Sequence, residues 1–115
     1  MKNILVVVMD IEKQRQMQEA LEEEYKVQIC TNKEEMYKVL GHKIPNVLIL
    51  EYDEEYFPVL EMVENIKQND ELRKLPIIVI SDGEDENMER NCMEMGVNDF
   101  IFRPCSKIGI LSRTR

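Results

Sequence analysis

Five short apolar runs recur along this chain, each followed by a stretch with helical spacing, and no other feature narrows its fold as much. Ile4–Val8, Val47–Leu50 and Ile77–Ile80 are continuous and rich in branched residues. That is the pattern of strands covered on both faces. Lys26–Cys30 alternates polar and apolar, as a strand nearer a sheet edge does, and Phe100–Phe102 is a fifth short run. The spacing predicts a helix over Ile11–Glu24, with Met17, Ala20 and Leu21 on its buried face. Thr31-Asn32-Lys33-Glu34 has the form of a capping box for a second helix, which carries Met36, Val39 and Leu40, with Gly41 placed to end it. Pro58 opens a third helix, with Val59, Met62, Val63 and Ile66 at helical intervals. Asp85–Met95, closed by Gly96, is a fourth, and a fifth begins near Ser106. Strands and helices that alternate in this way imply an α/β fold, a doubly wound parallel sheet of (βα)5 type.

The 115 residues suit one domain, read as spanning 1–115. The last helix reaches Arg115 without a cap, so continuation into a further domain is expected. Cys30, Cys92 and Cys105 form no CxxC pair, and His42 stands alone, so zinc is not expected and the thiols read as reduced, in a cytoplasmic protein. The first apolar run is too short to span a membrane. A net charge of −8 disfavours direct binding to nucleic acid.

In open α/β sheets the site lies beyond the carboxyl ends of the strands. That rule selects Met9-Asp10, Glu51, Ser81-Asp82 and Arg103. The single histidine lies elsewhere and these positions offer no nucleophile–base pair, which argues against an enzyme. The loop after the first strand is acidic and lacks glycine, which argues against a flavin or nucleotide phosphate.

These positions carry a resemblance to response-regulator receiver domains. The spacing from Glu51 to Ser81 is thirty residues, and from Ser81 to Arg103-Pro104 a further twenty-two. Asn69–Pro76 and Gly96–Phe100 also resemble receiver segments. The resemblance implies a flavodoxin-like strand order 2-1-3-4-5 and a role in two-component (phosphorelay) signalling. It implies protein partners: a histidine kinase, an output domain, or a second copy bound through the face made by helix 4, strand 5 and helix 5. It places Glu51 at the phosphoacceptor position and Asp10 and Asp53 in the acidic pocket. Ser81 and Phe100 fall at the switch positions, and Arg103 and Pro104 at the Lys-Pro positions, where a cis bond is implied.

The chain departs from the family where the chemistry lies. The acceptor is glutamate rather than aspartate, the lysine is Arg103, and the acidic pair is reduced to Met9-Asp10. The turn after the acceptor, Tyr52–Pro58, is unusually acidic and aromatic. Magnesium prefers octahedral oxygen ligands, and Met9 offers none, so a metal site of Asp10, Glu51 and Asp53 is expected to be weak or absent, with no other cofactor. Glu51 reads either as a permanent partial mimic of a phosphoryl group or as a carboxylate in a decayed pocket, with residual phosphorylation as a third reading. Arg103 reads either as a partner of Glu51 through its forked guanidinium or as a solvated strand-end arginine. Phe100, lacking a hydroxyl, is expected to pack inward. The eight methionines read mainly as core gap-fillers. Together these features predict a pseudo-receiver that acts by protein contact.

Overall fold

The computed structural model describes residues 1–53 and 58–115. Its elements run β1 (Lys2–Val7), α1 (Ile11–Leu21), β2 (Tyr25–Cys30), α2 (Lys33–His42), β3 (Val47–Glu51), α3 (Val59–Gln68), β4 (Ile77–Ser81), α4 (Glu86–Glu94), β5 (Asp99–Phe102) and α5 (Lys107–Thr114). The strands form one sheet in the order β2-β1-β3-β4-β5. Every neighbouring pair is parallel, with Val7 opposite Leu50, Glu51 opposite Ile80, and Ser81 opposite Phe102. The expected fold and strand order are therefore observed.

Successive side chains on a strand point to opposite faces. Leu5, Val7, Leu48, Leu50, Ile77, Val79 and Phe100 join a core with residues of α2, α3 and α4. Ile4, Val6, Val8, Ile49, Ile78, Ile80 and Ile101 join a second core with Met17, Ala20 and Leu21 of α1 and Ile110 of α5. Each central strand thus buries both sets of side chains, as its unbroken apolar sequence requires. Met17, Met36 and Met62 are fully enclosed and fill core positions, whereas Met1, Met9 and Met93 are exposed. Burial pushes the Cys30 thiol up to about 12 and the Cys92 thiol up to about 11.

Three boundaries differ from the sequence expectation. The cap of α2 is Asn32, whose Oδ1 accepts from the Glu35 amide at 2.8 Å. Asparagine is at least as good a cap as threonine, so the helix opens one residue later than a Thr31 box would place it. Gly41 lies inside α2, which ends when Lys43 turns extended shortly before Pro45, so no left-handed glycine cap is used. α1 stops at Leu21 rather than Glu24: Glu22 is its cap, the Glu24 amide turns back to the Leu21 carbonyl at 3.2 Å, and the chain enters β2 at Tyr25. Gly96, at φ +98°, does close the turn after α4. In the turn following β3, Glu54, Glu55, Tyr56 and Phe57 lie outside the described residues. No described helix is long and apolar enough to cross a membrane.

Candidate functional site

The two-residue period of the strands carries past their ends and decides which groups meet. Glu51 follows Ile49, Asp82 follows Ile80 and Arg103 follows Ile101, so all three share the parity of the α1–α5 face. Ser81 and Phe102 take the opposite parity, with Val79 and Phe100. The first turn of α1 then brings Lys13 over the same strand ends. Two carboxylates and two cations thereby converge.

Arg103 Nη1 donates to Glu51 Oε1 at 2.6 Å, to Glu51 Oε2 at 2.9 Å and to Asp82 Oδ1 at 3.1 Å. Its Nε donates to Gln16 Oε1 at 3.1 Å. Of the two readings of Arg103, the pairing with Glu51 is the one present, but one nitrogen serves both carboxylate oxygens and the fork does not close on them. Arg103 Nη2 is buried and has no hydrogen-bond partner among the described residues. Lys13 Nζ stands 3.0 Å from Glu51 Oε1 and also donates to Asp82 Oδ2. Glu51 is 4% exposed and Arg103 12%, so the centre of this cluster is largely out of water, while Asp82 at 59% forms its outer edge.

Burial pushes the Glu51 carboxyl above the usual carboxylate range, against the opposing pull of Arg103 and Lys13. The Lys13 ammonium, hydrogen-bonded to Asp82, holds that carboxyl below its usual range. Burial alone would lower Lys13, but its bonds to Asp82 and Glu51 outweigh that and raise it. A carbon-detected NMR titration is expected to show Glu51 losing its proton at a higher pH, and Asp82 at a lower pH, than an unhindered side chain of the same type. The stability linked to these groups runs in opposite directions. The part linked to Glu51 is full below its unfolded value and is lost as pH rises through its folded value. The part linked to Asp82 is present above its unfolded value and is lost as pH falls through its folded value.

Asp10 is exposed, and its Oδ1 accepts from the Lys13 amide at 3.0 Å as the cap of α1. Met9 is 46% exposed. Gln14 Nε2 donates to the carbonyls of Val8 and Met9, both at 3.2 Å, which pins the loop before α1. Asp53 is half-buried and lines a shallow cleft of about 320 Å³ with Tyr52, Ser81, Asp82, Gly83, Glu84 and Asp85. A second cleft of similar size is lined by Glu12, Lys13, Arg15, Gln16, Glu19 and Arg103. Glu51 lines neither. Among the described residues, no group of three or more His, Cys, Asp or Glu side chains is placed to hold a metal ion.

Ser81 is buried, and its hydroxyl donates to the Gly83 carbonyl at 2.5 Å, inside its own loop. Phe100 is 3% exposed and packs inward, 6.0 Å from the Phe102 ring, as expected of a residue with no hydroxyl to present. The Arg103-Pro104 peptide bond is cis, also as the resemblance implied. Sequence reasoning missed Lys13 altogether and gave Asp82 no role. The parity of Ile78, Ile80 and Asp82 was a signal for the second, whereas nothing local to the sequence fixes how α1 docks.

Residues 4–115 match the family described as response regulator receiver domain. The chain belongs to that family. A putative response regulator from Chloroflexus aurantiacus superposes with a TM-score of 0.90 at 20% identity, over 98% of this chain and 93% of that one. The signal receiver domain of a signal transduction histidine kinase from Syntrophus aciditrophicus gives 0.85 at 23% identity, over 97% and 86%. Both likenesses concern the receiver fold. A Bacillus subtilis protein-glutamate methylesterase/protein-glutamine glutaminase is 27% identical over 115 residues, which are 96% of this chain. The chain spans about a third of that relative, 31% of its length. As a receiver domain it has its place in two-component signalling.

Proposed function

We propose that this receiver is a pseudo-receiver: it signals by protein contact and takes no phosphoryl group. The observation that carries the proposal is the buried bridge from Arg103 to both oxygens of Glu51. A carboxylate that attacks phosphorus must present a lone pair in line with the leaving group. Here both oxygens accept from Arg103, one also faces Lys13, and the side chain is buried. The side chains also suit magnesium poorly. Asp10 caps a helix, Met9 supplies only a soft thioether, and the oxygens of Glu51 are engaged by two cations.

The partners proposed are those of the family, a histidine kinase and an output domain, in the cytoplasm. A second copy bound through α4, β5 and α5 belongs to the same proposal, where Met93 and Ile108 are exposed apolar residues. No esterase or glutaminase chemistry is proposed. Ser81 bonds to its own loop, and His42, the one histidine, is exposed at the end of α2. Amide NMR spectra recorded with magnesium and beryllium trifluoride, a noncovalent phosphoryl analogue, test the reading. The expected result is no shift at Glu51, Ser81 or Phe100, and a saturable shift across β4 and β5 would overturn it.

A further inference from the structure

We propose that the Lys13 ammonium is a built-in replacement for a divalent cation, and that Lys13 decides what this site can bind. The inference rests on the closed-pocket reading above and adds the group that keeps metal out. Lys13 Nζ bridges carboxylates from two adjacent strand ends, Glu51 on β3 and Asp82 after β4. Joining carboxylates from neighbouring elements is what a hard divalent ion does in an oxygen-lined site. A lysine does it with one charge and three donors on a tether.

The tether is well fixed. The Lys13 amide donates to Asp10, so the acid at the acidic-pocket position anchors the turn that carries the ammonium. The side chain is only 26% exposed. Charge makes the same point. Glu51 and Asp82 against Lys13 and Arg103 sum to zero, so the cluster has no net attraction for a further cation. Without Lys13 it would carry a charge of −1, beside a cleft that also holds Asp53, Glu84 and Asp85. The two carboxylates would then supply the one or two protein ligands that such ions usually take, with water completing the shell.

Manganese titration followed by electron paramagnetic resonance of the free ion, with calorimetry in parallel, tests this on the whole chain. Wild type and Lys13→Arg are expected to show no saturable binding at millimolar metal. Lys13→Gln should bind one ion per chain, at least about tenfold more tightly than wild type, a gain of about 1.4 kcal/mol. Lys13→Gln combined with Asp82→Asn should lose that gain. Circular dichroism verifies that each variant is folded, and Lys13→Met serves if the glutamine variant is not. Saturable binding by wild type equal to that of Lys13→Gln would overturn the proposal, and so would a folded Lys13→Gln that gains nothing. The closed-pocket reading fails on a different result, phosphorylation of the wild-type chain, so the two failures are distinguishable.

Discussion

Arg103→Met is expected to destabilise the protein by about 3 kcal/mol at pH 7, the low end of the cost of breaking a buried ion pair on one side. Among the described residues, the variant leaves the buried Glu51 carboxylate with Lys13 as its one remaining cationic partner. Lys13 is shared with Asp82 and sits nearer solvent, so it compensates in part. A fully exposed pair would instead cost at most about 1 kcal/mol. Glu51→Gln should cost less, about 1–2 kcal/mol, because Arg103 keeps Asp82 and Gln16. Urea unfolding of both single variants and the double variant should give a coupling energy of about 1–3 kcal/mol.

The deficit of Arg103→Met also depends on pH in a set direction. Loss of the guanidinium raises the folded-state pKa of Glu51 further above its unfolded value. Such a group costs stability at neutral pH and nothing once both states are protonated. The deficit should therefore shrink as pH falls toward about 4.3. A coupling energy near zero, with both single variants close to wild type, would leave only a decayed pocket.

The second large effect is a failure to revert. Glu51→Asp combined with Arg103→Lys restores the two family residues most visibly missing, yet it should not restore phosphorylation. Met9 still denies a metal its second acid, and Lys13 still bridges the strand ends. Adding Met9→Asp and Lys13→Gln removes both obstacles and should give phosphorylation by acetyl phosphate with magnesium. Rapid modification of the two-residue variant would show that Asp10 alone supports the metal, and that Met9 and Lys13 do not close the site.

The sheet was legible because its signal is local and repeated. Branched apolar runs of four or five residues, each followed by an amphipathic stretch, leave little choice but parallel strands between helices. Strand ends then placed Glu51, Ser81 and Arg103 at one edge of the sheet. Helix ends were less legible, because Asn32 and Thr31 are both good caps, and because α1 ends in a turn of glutamates with no glycine or proline to mark it. The pairing of Arg103 with Glu51 stood as one of two readings, since sequence does not say whether a strand-end arginine turns inward. Asp10 illustrates the remaining limit. The residue type suits an acidic pocket, and its position just before α1 also makes it a cap, which the sequence reading did not single out. Lys13 was hidden for a further reason. Its role depends on how α1 lies across the sheet, which is set by Met17, Ala20 and Leu21 packing against Ile49 and Ile101 rather than by any motif.

Intact-mass measurement of the wild-type chain after incubation with acetyl phosphate and magnesium tests the central claim most directly. Arg103 bonds both Glu51 oxygens and Lys13 faces one of them, so Glu51 is held away from in-line attack and the mass should stay unchanged. A stable gain of one phosphoryl group, mapped to Glu51 or Asp53, would contradict the account.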